Sequence, residues 1–337
     1  MDFMHAGASD SDSSRGAPAD PHPVRNPGVP FDRAWIDSIR VNLSATERRV
    51  DSLGGRRTVK KDWQAAWLLK AATCMDLTTL AGDDTPGRVE RLCAKARSPF
   101  RPDLIEALGV ADRKLTVGAV CVYHAMIGTA VEALAGTDIP VAAVSTGFPA
   151  GHTPTATKLA EIEASVAAGA REIDIVVSRR HVLTSDWRAL YEEMAAFRAS
   201  CGSAHVKAIL ATGELGSIAK VAKASTICMM AGADFVKTST GMEATNATLP
   251  VSLVMLRTIR DFNERTGVKI GFKPAGGITS AKQALAYLIL VKEELGAAWL
   301  TPKLLRFGAS RLLSDIERQL EHFVTGRYSA AHRHALG

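Results

Sequence analysis

Eight short apolar runs, each followed by a longer segment of helical periodicity, constrain this chain more than any other feature. The runs are residues 74–80, 116–124, 140–149, 172–178, 205–215, 234–241, 269–278 and 304–310. Helical segments lie between and after them, among them 154–169, 185–200, 216–231, 249–265, 280–295 and 311–324. A near-continuous apolar strand is buried on both faces, and a crossover helix after each such strand makes the sheet parallel. Eight units can close on themselves, which predicts an α/β fold, a (β/α)8 TIM barrel, over residues 71–325. A doubly wound open sheet is the rival. It would place a Gly-rich turn after an early strand, whereas the glycines here cluster late.

The flanks read differently. Residues 1–30 are rich in Ser, Asp, Gly and Pro without apolar periodicity, and are expected to be a disordered tail. Over residues 31–70, Trp35, Ile36 and Ile39, then Trp63, Trp67 and Leu68, recur at helical spacing. This predicts an N-terminal helical extension of two helices, joined by GGRRTVKK and packed on the barrel. Residues 326–337 read as a C-terminal tail.

Composition narrows the partners. Mean hydropathy is +0.04 and no apolar run approaches the roughly 18 residues that span a bilayer, so no membrane association is expected. The 41 basic and 35 acidic side chains leave a net charge of +6. The basic residues are scattered among acidic ones without an aromatic platform, which argues against nucleic acid and suits a small anionic substrate. Cys74, Cys93, Cys121, Cys201 and Cys228 form no CxxC pair, and the N-terminus lacks a basic, then apolar, leader. A cytoplasmic setting is expected.

In such a barrel, chemistry sits at the carboxyl ends of the strands. Lys207, Lys237 and Lys273 fall in three consecutive runs, each flanked by apolar residues. Strand alternation allows any one of them to point outward and snorkel. If they point inward they meet near the axis, where shared desolvation and charge repulsion would depress each other's pKa and free a nucleophilic amine. Asp174, in EIDIVV, and Asp76, in CMDLTTL, supply carboxylates to manage protons, although either alone could be a strand-end residue satisfied by backbone N–H groups. PAGGI (274–278) and FGAS (307–310) end the last two runs just before helices, the usual place for phosphate in a barrel; alone, either would serve as a tight turn. TSTG adds two hydroxyls and a glycine at the same end.

Together MDLTTL, EIDIVV, ATGEL, FVKTSTG, GFKPAGG and RFGAS, in this order, resemble the deoxyribose-phosphate aldolases, and the chain is similar to the longer animal-type members from about Asp32 to Tyr328. The resemblance implies reversible cleavage of 2-deoxy-D-ribose 5-phosphate to acetaldehyde and D-glyceraldehyde 3-phosphate, in deoxynucleoside catabolism. It puts the Schiff base on Lys237, its perturbing ammonium on Lys273 and the proton relay on Asp174. Asp76, Thr78, Cys121 and Lys207 are implied around the substrate, and Thr240, Gly241, Gly276, Gly277, Gly308 and Ser310 around its phosphate. No metal or organic cofactor is implied, because an iminium serves as the electron sink. The implied partners are a sugar phosphate and aldehydes, and a homo-oligomer is left open.

The chain departs from the family pattern at specific places. Relatives commonly carry basic residues where this chain has Met242 and Thr279, and Arg311, where they often have a small hydroxyl, is expected to restore one phosphate contact. His124 replaces a frequent proline, and Tyr328 is a weak substitute for the terminal tyrosine of some bacterial members. Two alternatives compete with this reading: a metal-dependent barrel lyase using His124, His152 and His181, and a non-catalytic sugar-phosphate sensor. The absence of carboxylate-rich ligand spacing weighs against the first, and the presence of Lys237, Lys273 and Asp174 against the second.

Overall fold

The computed structural model describes residues 25–330 and 333–334. Eight strands run β1 Met75–Thr78, β2 Ala119–Tyr123, β3 Val141–Ser145, β4 Glu172–Val176, β5 His205–Ile209, β6 Phe235–Lys237, β7 Gly271–Lys273 and β8 Phe307–Ala309. All pair in parallel, in the order β7-β6-β5-β4-β3-β2-β1-β8. Bridges Phe272–Leu305 and Ala275–Gly308 join β7 to the β8 side and close the ring. The expected (β/α)8 barrel is therefore observed.

Period-2 alternation sorts the strand residues into two cores. Val120, Val122, Ala143, Ile173, Ile175, Val206, Ala208 and Val236 face outward and merge with the helix layer into one large apolar cluster. The inward set is chemically different, and it carries the site. Helix ends follow from local chemistry. The helix Leu249–Thr266 starts with the Thr248 side chain accepting from the Val251 N–H and stops at Gly267, whose φ is 74°. The helix Ala281–Leu295 starts with a Ser280/Gln283 capping box.

The N-terminal region is more divided than the sequence suggests. Helices span Arg33–Ser38, Leu43–Asp51, Leu53–Arg56 and Lys61–Thr73, so the basic linker begins inside a short helix. Its arginines Arg56 and Arg57 dock on Glu293 of the barrel helix Ala281–Leu295. Trp35 stacks on Phe262, whereas Trp63, expected on the apolar face, is 74% exposed.

Residues 1–24 of the expected tail lie outside the described residues, but residues 25–30 correct that expectation. The Asn26 side chain donates to Met229 O (2.7 Å) and Ala233 O (2.8 Å), and its backbone N–H donates to Asp234 Oδ1 (2.7 Å). The Val29 N–H donates to Met230 O. This strap lies across the connection into β6.

Candidate active site

The inward-facing residues of β4, β5, β6 and β7, with β1 and the entry to β8, build an ionic cluster. By alternation β4 contributes Glu172 and Asp174, β5 Lys207, β6 Lys237, β7 Lys273 and β1 Asp76, and Arg306 enters just before β8. Asp174 is the hub. Its Oδ2 accepts from Lys237 Nζ (2.7 Å) and Lys273 Nζ (2.7 Å), and its Oδ1 from Lys207 Nζ (2.9 Å). Lys273 also bonds to Asp76. Below this storey Lys207 reaches Glu172 at 2.5 Å, and Arg306 bridges Asp76 and Glu172. All seven side chains are buried. They survive burial because each charge has a hydrogen-bonded counter-charge.

The inward-pointing lysines expected from the sequence are thus found together, but their mutual depression is not. Burial disfavours the ammonium of Lys273, yet Asp174 and Asp76 outweigh it and the pKa is raised. Burial is likewise outweighed at Lys207, by Asp174, Glu172 and Asp76. Only Lys237 falls below its ordinary value, because burial and the Lys273 ammonium together outweigh the single contact with Asp174. Burial alone would raise the Asp174 carboxyl, but Lys207, Lys237 and Lys273 hold it well below the usual carboxylate range.

A cavity of about 440 Å³ opens at the carboxyl ends of β6, β7, β8 and β1. Among the described residues its lining includes Thr78, Lys237, Gly277, Ser310 and Arg311, and Lys237 is the only member of the ionic cluster that reaches it. Thr78 itself is turned back, its hydroxyl donating to Asp76 O (2.7 Å). Cys121 lies opposite, packed with Ala142 and Val144 in a small apolar cluster bordered by Leu80, Tyr123 and Phe148. Burial pushes its thiol pKa up, so it acts as apolar wall rather than nucleophile.

The residues expected around the phosphate offer fewer free N–H groups than the sequence suggests. The backbone N–H groups of Thr240 and Gly241 already donate to the Glu243 carboxylate, at 3.0 to 3.1 Å. Those of Gly276 and Gly308 donate within the barrel, to Gly308 O (3.4 Å) and Pro274 O (3.0 Å). Gly276 and Gly277 both hold φ +79°, a conformation that side-chain-bearing residues rarely adopt, and a Cβ on Gly308 would come within 3.2 Å of Lys273 Cε. The same Cβ would lie only 2.8 Å from the Cβ of Ala275, so Gly308 is needed chiefly for the close approach of the Ala275 segment. The N–H groups of Gly277 and Ser310 make no hydrogen bond among the described residues, and Arg311, exposed at the first turn of the helix Arg311–Thr325, has no ion pair there. Ser310 places no side-chain cap on that helix, whose first residue lines the cavity.

Two residues of the cluster, Glu172 and Arg306, were missed from the sequence. Glu172 had a signal: it precedes Asp174 by two, so alternation puts both on one face. Tyr328 is not at the site. It is 96% exposed and stacks on His322 beyond the far end of a 15-residue helix whose first residue lines the cavity. Of the three histidines of the metal alternative, His124 faces Glu161 at 3.4 Å and His181 lies within the helix Arg179–Leu183, and among the described residues no group of three or more His, Cys, Asp or Glu is arranged to hold a metal ion.

The chain is similar to known proteins over most of its length. A model of the DeoC/LacD family aldolase matches residues 70–314. The deoxyribose-phosphate aldolase of Homo sapiens is 60% identical over 311 residues, covering 92% of this chain and 98% of that protein. That of Bos taurus is 59% identical over 307 residues, covering 90% and 96%. Among solved structures, the deoxyribose phosphate aldolase of Aeropyrum pernix, described as having a unique tetrameric structure, superposes with a TM-score of 0.54 at 21% identity, covering 83% of this chain and 99% of that one. QR15, an aldolase, gives 0.58 at 25%, covering 75% and 96%.

Proposed function

The chain belongs to the DeoC/LacD aldolase family, and we propose that Lys237 is the amine through which it cleaves 2-deoxy-D-ribose 5-phosphate, reversibly, to acetaldehyde and D-glyceraldehyde 3-phosphate. The observation that carries this assignment is the contrast among the three interior lysines. Lys207 and Lys273 are fully buried and held as ammonium ions, whereas Lys237 reaches the cavity with its charged form disfavoured.

The chemistry follows from the positions. The neutral Lys237 amine adds to the C1 aldehyde of the open-chain sugar, and loss of water leaves a protonated imine. A base removes the proton of the C3 hydroxyl, the C2–C3 bond breaks, and its electron pair moves toward the iminium nitrogen to form an enamine. Glyceraldehyde 3-phosphate departs, C2 takes a proton, and water hydrolyses the imine to acetaldehyde and free Lys237. Asp174 and Lys273, hydrogen-bonded to each other at 2.7 Å and to the Lys237 nitrogen through Asp174, are placed to exchange these protons, directly or through a water. Lys207 and Asp76 hold this pair in register from below.

For the substrate phosphate we assign the N–H groups of Gly277 and Ser310 and the Arg311 guanidinium, at the β7 and β8 side of the cavity. Thr240, Gly241, Gly276 and Gly308 then shape the pocket rather than donate to the anion, since their N–H groups are engaged. Thr78 and Cys121 border the sugar. Borohydride added with acetaldehyde is expected to inactivate the protein and leave a reduced two-carbon adduct on Lys237. Peptide mapping that finds it on Lys207 or Lys273 would overturn the assignment.

A further inference from the structure

The ionic cluster holds four basic groups, Lys207, Lys237, Lys273 and Arg306, against three carboxylates, Asp76, Glu172 and Asp174. With every group ionised it carries one positive charge in excess, buried; it becomes neutral when one amine gives up its proton. The hydrogen bonds decide which. Lys207 faces Glu172, Asp174 and Asp76, Lys273 faces Asp174 and Asp76, and Arg306 faces Asp76 and Glu172. Lys237 has Asp174 alone.

We propose that Glu172 and Arg306, on the floor of the barrel, are positioning residues that fix the charge parity of the cluster, so that Lys237 is the amine left without a counter-charge of its own. Neither touches the substrate cavity. They line a separate cavity of about 510 Å³ at the opposite mouth, among the residues at the strand starts. Arg306 spans Glu172 and Asp76 there, and Glu172 and Asp76 in turn engage Lys207 and Lys273. The charged neighbours of Glu172 are Lys207 on its β5 side, where His205 stands opposite it in register, Arg306 before β8, and Asp76 on β1. Those of Lys237 are Asp174, Lys273 and the Cys121 thiol.

Parity predicts opposite signs for the two floor residues. Glu172→Gln removes a negative charge, so the excess grows, the Lys237 ammonium is further disfavoured, and the acid limb of kcat/KM moves to lower pH. Arg306→Met removes the excess, the fully ionised cluster is neutral, and the limb moves to higher pH. One buried charge a few ångströms away moves each limb by about one pH unit or more. The double variant Glu172→Gln/Arg306→Met restores parity and returns the limb to the wild-type position, while Glu172→Asp, which keeps the charge, leaves it there.

A purely structural role predicts lost activity without opposed shifts, so limbs that move in the same direction, or not at all, overturn the proposal. Should a single variant fail to fold, the double variant decides. Exchanging a whole buried ion pair for neutral groups is often tolerated, and a displaced limb in that protein overturns parity. The proposal rests on the assignment of Lys237, and the two fail differently. An adduct mapped elsewhere removes the assignment, whereas an adduct on Lys237 with unmoved limbs removes parity alone.

Discussion

The two sides of the barrel interior were built from the same strand geometry with opposite chemistry. From β4 round to β8 and β1 the inward positions hold seven ionisable groups, while β2 and β3 offer Cys121, Ala142 and Val144. Neither side would do alone. A fully ionic interior would admit water and hold every lysine as an ammonium; an apolar one would leave a single buried lysine with no partner to move its proton. The apolar wall excludes water near the ionic side, which strengthens each charge interaction there. On the proposed assignment of Lys237, the difference teaches that unequal pairing among neighbours, rather than burial, which all three lysines share, sets the reactive amine apart.

The most severe way to break the ionic side is Lys237→Leu. Aldol cleavage is expected to fall by at least about 1,000-fold and borohydride trapping to vanish, with the fold retained by circular dichroism. Appreciable cleavage by that variant would remove Lys237 from the mechanism. Lys273→Leu comes next, with a loss of about 100-fold or more in kcat. It also deletes a positive neighbour, so the Lys237 pKa rises and the acid limb of the pH–rate profile moves upward; an unmoved limb would show that the two amines are not coupled.

At the rim, Arg311→Ser tests the only cation that accompanies Lys237 in the lining of the cavity among the described residues. A charged hydrogen bond is worth about 1.5 to 3 kcal/mol, so KM for the phosphorylated sugar should rise roughly 10-fold to 150-fold with that for free deoxyribose unchanged. Equal kinetics for both proteins would place Arg311 in solvent. The smallest effect belongs to the apolar wall. Cys121→Ala should cost about 1 kcal/mol in urea unfolding and leave kcat/KM within about 3-fold, and a larger catalytic loss would mean that the thiol does more than exclude water.

The barrel and much of the ionic side were legible in the sequence because both depend on periodicity. Eight apolar runs with crossover helices leave few topologies, and lysines inside apolar runs are conspicuous because they so seldom occur there. Glu172 escaped because it opens its run, where a charged residue reads as a strand end, and Arg306 because it lies within its run but just before the strand residues Phe307–Ala309. Missing Glu172 also hid one of the carboxylates that keep Lys207 protonated, so mutual depression looked more general than it is. The engagement of Thr240 and Gly241 by Glu243 was beyond reach for another reason: which backbone N–H groups remain free is settled by loop geometry, to which no residue pattern corresponds.

The strap at residues 25–30 has a consequence for where this protein begins as a folding unit. It has no apolar periodicity, yet it donates to the carbonyls of Met229, Met230 and Ala233 and to one oxygen of the buried Asp234, whose other oxygen holds the Val206 N–H of β5. Each buried polar group deprived of its partner costs about 1 to 3 kcal/mol. A chain shortened to the first helix would thus lose a clasp at the foot of β6, the strand that presents Lys237. The polar stretch before that helix is a fastener for the strand that carries Lys237, and the folded barrel includes the chain from Arg25 onward.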